Sequence, residues 1–175
     1  MSGAVGKRYA RALFEIASER GVIDQVEADL GAVVQAIEQN ADLSKILLHP
    51  HIAADAKTKL VDDLFKNHIS AEVYNFLAVL IEKGRETEIA LIQQAFVKLA
   101  NEARGIADAV VTSALPLSEE EQTELAEKFS QRINKKLRLT NVVDPSILGG
   151  IVVRIGDRLY DGSIKTKLEN FAHQQ

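Results

Sequence analysis

Over roughly the first hundred positions, apolar residues recur at spacings of three and four, the mark of helices that each bury one side. The pattern runs from Val5 to about Arg104, and breaks at Gly21, Asn40, His49-Pro50, Asn67 to Ser70 and Gly84 divide it into six helices. The second carries Val22, Val26, Leu30, Val33 and Ile37 as one stripe, and the fourth puts Ile52, Ala56, Leu60 and Leu64 in register. The sixth aligns Ile89, Ile92, Phe96, Leu99 and Ala103 before Gly105 closes it. Ser70 is placed to cap the fifth helix and Gly84 to end it. After Gly105 the period changes. Ile106 to Leu115 reads as a strand, Ser118 with Glu121 as a capping box, and Leu125, Phe129 and Ile133 as the inward face of a helix. Leu137 to Val143 and Ile151 to Ile155 read as further strands. Gly156-Asp157 suits a two-residue hairpin turn, Arg158 to Tyr160 its returning strand, and Ile164, Leu168 and Phe171 a last short helix. The expected fold is α+β: a six-helix bundle over residues 1–104, then a small α+β domain over 105–175.

Composition removes whole classes of function. The 175 residues hold no Cys and no Trp, so a thiolate nucleophile, a Cys-ligated metal and a disulfide framework are all excluded. Net charge is −4, with 12 basic and 15 acidic side chains before residue 105 and 9 and 10 after it. Neither half is basic, and only 5% of residues are aromatic, which speaks against a nucleic-acid binder. The longest clean apolar run, Phe76 to Ile81, falls far short of the roughly 20 residues that cross a bilayer. The opening helix is too charged for a secretory signal. No direct membrane insertion is expected.

Candidate catalytic chemistry is sparse. Gly149-Gly150 precedes a strand rather than a helix, so a tight turn explains it better than phosphate binding. His49-Pro50-His51 could offer two imidazoles to a metal, but no third ligand is signalled, and a turn between helices is the simpler reading. Asp144, Asp157 and Asp161, with Arg154 and Arg158, are the densest charges of the second half. Paired carboxylates could do acid–base work if they shared a cleft. Their turn-like neighbours account for them without it. No catalytic residue, metal ligand or cofactor site is expected.

The departure from a simple bundle lies in two helices. At about 100° per residue, the apolar side chains of the second and sixth helices each fill an arc of roughly 120°. In the first helix Val5, Tyr9, Ala10, Ala12, Leu13, Phe14, Ile16 and Ala17 cover about 200°. In the fifth, Val73, Tyr74, Phe76, Leu77, Ala78, Leu80 and Ile81 cover a similar arc. Either both helices lie centrally and are buried on two sides, or they present a second apolar strip to an amphipathic partner helix. Pattern alone leaves both open.

The stretch Leu137-Arg-Leu-Thr-Asn-Val-Val-Asp144-Pro-Ser-Ile-Leu-Gly149-Gly150-Ile-Val-Val-Arg154-Ile-Gly156-Asp157, continuing to Asp161-Gly162-Ser163, resembles the C-terminal signature of the δ subunits of F-type ATP synthases. The family includes the mitochondrial oligomycin-sensitivity-conferring protein. Arg8-Tyr-Ala-Arg-Ala-Leu-Phe14, Pro50-x-Ile52 with Lys57, Asn75-Phe76-Leu77 and Gly84-Arg85 match as well, so the likeness covers the whole chain. It implies a peripheral-stalk (stator) subunit without an active site, serving ATP synthesis and hydrogen ion transport. The N-terminal bundle would receive the N-terminal helix of an α subunit between its first and fifth helices. Tyr9, Ala12, Ile16, Tyr74, Ala78 and Ile81 are the expected lining, and the resemblance tips the balance toward docking. The second domain would hold the C-terminal ends of the b subunits. Its signature residues Asp144, Gly149, Gly150, Arg154, Gly156, Asp157, Asp161 and Gly162 are expected to shape turns rather than touch the partner. The chain's start, without an extension, suggests a bacterial form at the cytoplasmic side of the cell membrane. A helical RNA-binding adaptor is the alternative, with charge balance against it.

Overall fold

A computed structural model describes residues 2–147 and 149–162. The chain divides into two compact units, residues 1–100 and 101–175. The first is built from α1 (Ser2–Arg20), α2 (Ile23–Gln39), α3 (Ala41–Leu47), α4 (Ala54–Phe65), α5 (Ala71–Glu82), a 3₁₀ turn at Glu86–Glu88, and α6 (Ile89–Ala103), whose last residues enter the second unit. The expected breaks fall between these helices. Asn40 does more than interrupt: its side-chain oxygen accepts the amides of Asp42 and Leu43, each at 3.1 Å, and so starts α3. Gly84, at φ +62°, lets α5 end in a Schellman turn, with Arg85 N–H donating to Leu80 C=O at 2.7 Å and Gly84 N–H to Ile81 C=O at 3.1 Å.

The core of the bundle is a continuous apolar cluster from Ala10 and Leu13 through Val26, Leu30 and Val33 to Val73, Leu77, Leu80, Ile92, Phe96 and Ala100. Each fully buried Leu, Ile or Phe of this kind stabilises the fold by roughly 1.5–3 kcal/mol. Two local expectations are overturned. In α4 the buried positions are Lys57, Val61 and Phe65, one residue on from the predicted register, while Ala56 and Leu64 face solvent. Lys57 sets that register, because its ammonium is bonded to the buried Glu86 carboxylate beyond the end of α5. A polar residue on the inner face hides the stripe from any reading of apolar spacing. Ser70 occupies the N-cap position of α5, but its hydroxyl makes no cap bond. Instead the buried Asp29 of α2 accepts the Ser70 N–H at 2.8 Å, placing a carboxylate at the positive end of α5.

The second unit holds β1 (Ile106–Ser113), α7 (Glu119–Ile133), β2 (Lys136–Val143), β3 (Ile151–Ile155) and β4 (Arg158–Asp161) in a sheet of order β2-β1-β3-β4. β1 and β2 are parallel and joined through α7, whereas β3 runs antiparallel to β1 and to β4. The capping box is present: Glu121 N–H donates to Ser118 Oγ at 3.2 Å, and Ser118 N–H to Glu121 Oε2 at 2.8 Å. α7 packs on the sheet through Phe129, whose ring meets Tyr160 edge-on at 5.3 Å, and through Arg132 stacked over the same tyrosine. No α7 residue is fully buried. The predicted final helix, marked by Ile164, Leu168 and Phe171, lies outside the described residues.

Candidate docking surface

Contacts between named residues fix which edge of each wide apolar helix meets which neighbour. Tyr9 of α1 packs edge-on against Phe76 of α5, with centroids 6.3 Å apart. Arg20 of α1 donates to Glu72 of α5 at 2.8 Å. Phe76 and Glu72 therefore mark the α1 side of α5. Tyr74 marks the opposite side, since its hydroxyl is hydrogen-bonded to Asp62 of α4 and Lys66 lies 6.0 Å from its ring centroid. That hydrogen bond, with burial behind it, raises the Tyr74 pKa above the ordinary phenol value. Glu72 moves the other way: the bond from Arg20 holds its carboxyl below the usual range.

Helical geometry assigns the remaining residues. Ile16 stands about 20° and Ala12 about 60° from Tyr9 on α1, while Val79 stands about 60° from Phe76 on α5. Ile16 and Val79 are 45% and 42% exposed, and Ala12 is exposed too, so open apolar surface, here termed the slot, flanks the Tyr9–Phe76 contact on both helices. Tyr9 is half-buried beneath it. The six predicted residues do not share this slot. Ala78 lies one turn from Tyr74 on the α4 flank, half-buried like it, and Ile81 is 5% exposed within the core. Surplus arc width indicated that α5 has apolar surface to spare, but it could not show which edge was already covered. Phe76 and Val79 were in or beside the pattern all along, and only the position of α4 singles them out.

In the second unit the signature residues occupy turns and strands of the sheet. Asp144 Oδ1 accepts from Ser146 Oγ at 2.7 Å and from its amide at 3.0 Å; these bonds hold the carboxyl below its usual range. Gly149 and Gly150 have φ of 99° and 74°. Gly156, at φ +58°, and Asp157 link Ile155 to Arg158 as a two-residue hairpin in which only the first central residue takes positive φ, the II′ pattern. Arg154 pairs with Val110 and Leu159, and Asp161 with Val152. Gly162 N–H donates to Ile151 C=O at 2.9 Å, and a Cβ there would sit 3.3 Å from that oxygen. These carboxylates do not converge on a cleft. The histidine turn is similarly local: His51 N–H donates to His49 Nδ1 at 3.2 Å, and no cluster of three or more His, Asp or Glu placed to hold a metal occurs among the described residues. No described helix is long and apolar enough to cross a membrane.

Comparison with known proteins accords with the layout. The family "OSCP: ATP synthase delta (OSCP) subunit" matches residues 5–174. "ATP synthase subunit delta" of Brevibacillus brevis is 71% identical over 99% of both chains, and that of Desulforamulus reducens 44% identical over 96% of this chain and 93% of its own. Among solved structures, a chain of the Toxoplasma gondii mitochondrial ATP synthase hexamer superposes with a TM-score of 0.69 at 25% identity, covering 97% of this chain and 96% of its own. The chain belongs to the ATP synthase delta (OSCP) subunit family, peripheral-stalk subunits of the F-type ATP synthase.

Proposed function

We propose that the chain works as a tether without an active site of its own. The bundle receives the N-terminal helix of an α subunit in the slot between α1 and α5, and the second unit holds the C-terminal ends of the b subunits on the cytoplasmic side. Joining the catalytic head to the membrane-anchored stalk keeps the head from turning with the rotor, so that torque drives ATP synthesis. Such a task needs preorganised contact surface and no reactive group, in keeping with the place of Asp144 and Asp157 in turns and of Asp161 in β4.

The observation that carries the reading is the pair of exposed apolar side chains, Ile16 and Val79, on either side of a packed Tyr9–Phe76 contact. An amphipathic helix laid there would cover both. The test is calorimetric titration of the full chain with a peptide of the first 20 or so residues of its α subunit. Ile16→Asp is expected to weaken binding at least about tenfold, since an anchor at the centre of an interface is replaced by a charge that must lose water. Undiminished affinity in a folded variant would move the site elsewhere.

A further inference from the structure

In the second unit one edge of the sheet stands open. β2 is the outer neighbour of β1 and is paired on that side only among the described residues. Lys136 N–H donates to Gly105 C=O at 2.9 Å and Asp144 N–H to Ser113 C=O at 2.8 Å, which sets the phase of the strand. Even-numbered residues turn their backbone groups to β1, and odd-numbered ones turn theirs outward. Of the outward groups, Leu137 N–H donates to Ser130 Oγ at 3.3 Å. The N–H groups of Leu139, Asn141 and Val143 have no partner among the described residues. Proteins ordinarily blunt such an edge with a charge, a proline, a bulge or a very short strand. β4, last in the strand order at the other side, has four residues. β2 has eight, pairs with β1 in unbroken register, and runs from Leu139 to Val143 without a charge or a proline. Thr140, Val142 and Val143 are exposed.

The open strand is complementary to itself. When two strands pair antiparallel, residues whose backbone groups point at the other strand must face one another. A twofold axis at Thr140 meets that condition along the whole strand. Leu139 of one copy then faces Asn141 of the other, and Leu137 faces Val143, as hydrogen-bonded pairs. Between them Thr140 faces Thr140, Arg138 faces Val142, and Lys136 faces Asp144. The last relation occurs twice by symmetry and sets an ammonium against a carboxylate, while a threonine pair is favourable across strands. We propose that the free edge of β2 is a self-association surface, to which a second copy of this chain adds its own β2 antiparallel, joining two four-stranded sheets into one. This goes beyond the tether role and does not rest on it. A single strand pair covers far less than the roughly 1,200–2,000 Å² of a stable complex, so the dimer is weak and depends on concentration.

The test is sedimentation equilibrium of the full chain from about 10 μM to about 1 mM, the range suited to a small interface. The mean mass is expected to climb from one chain toward two, and hydrogen exchange at the Leu139 and Asn141 amides to slow in step. Thr140→Lys sets two ammonium groups against each other at the axis and should weaken dimerisation at least about tenfold. Lys136→Glu turns both end pairs into repulsions and should weaken it about fivefold in dilute buffer, with the difference from wild type vanishing near 1 M salt, where the screening length is about 3 Å. A single-chain mass at every concentration overturns the proposal, and so does a dimer that both variants leave intact. Protection of Leu139 and Asn141 that appears only on adding a peptide from the C-terminal end of a b subunit overturns it too, giving the edge to that partner.

Discussion

The two flanks of α5 are equally apolar in sequence and end up with different fates. Toward α4, Tyr74 turns its hydroxyl to Asp62 and its ring to Lys66, so the apolar edge finishes in polar contacts within the same unit. Toward α1, the Tyr9–Phe76 pair has no such finish, and Ile16 and Val79 remain open above it. An amphipathic side chain with a partner for its polar tip closes a surface; an aliphatic one without cover leaves it available. The distinction between the closed edge and the open one is therefore chemical, and apolar arc width alone does not capture it.

The largest expected effect lies beneath the closed flank. Lys57 and Glu86 are buried as an ion pair linking α4 to the turn after α5, and Glu86 Oε2 has no further partner. Removing only the cation, as in Lys57→Ala, leaves a buried carboxylate uncompensated and should cost about 3–5 kcal/mol, measured as a lowered denaturant midpoint. The double variant Lys57→Met/Glu86→Leu should recover most of that loss, because two apolar side chains replace two charges that had to be desolvated. If the single variant is as stable as the wild type, the pair does not hold α4 in register.

A smaller effect separates the flanks directly. Val79→Asp should lower affinity for the α-subunit peptide at least about tenfold, whereas Ala78→Asp, on the α4 side, should change it by less than about threefold. The two positions are adjacent in sequence and about 100° apart in space, so general loss of helix would affect both alike. Equal losses would mean that the partner spans the whole outer face of α5.

Much of this architecture was legible from local rules. Ser118 and Glu121 form the expected capping box, Gly156-Asp157 the expected hairpin, and all six bundle helices fall where their breaks place them. What escaped were relations between elements. Lys57 on the inner face of α4 and Asp29 at the head of α5 are polar groups whose partners lie 29 and 41 residues away, and no periodicity encodes a partner at that distance. The open apolar edge between α1 and α5 was half visible for the same reason. The resemblance pointed to Tyr9, Ala12 and Ile16 with Tyr74, Ala78 and Ile81, whereas the proposed slot takes Phe76 and Val79 on α5, a choice that requires knowing where α4 lies.

Acidity and alkalinity should break the two flanks separately, with the smallest effects of the set. Glu72, held by Arg20 on the α1 flank, has a carboxyl pKa below its ordinary value. A group depressed in the fold stabilises it above its unfolded pKa, and that contribution fades as pH falls below about 4. Tyr74 on the α4 flank has a raised pKa, led by its bond to Asp62. Its contribution is complete below the ordinary phenol pKa of about 10 and fades as pH rises through the elevated value. Denaturant midpoints followed from pH 3 to 11 should therefore show Glu72→Gln flattening only the acid limb and Tyr74→Phe only the alkaline limb. Because both groups are near the surface, raising the salt concentration should shrink the Glu72 effect first, since its partner is a largely exposed guanidinium. Should Tyr74→Phe leave the alkaline limb unchanged, the Tyr74–Asp62 bond does not close the α4 flank in solution, and Tyr74 and Ala78 return as candidates for contact with the incoming helix.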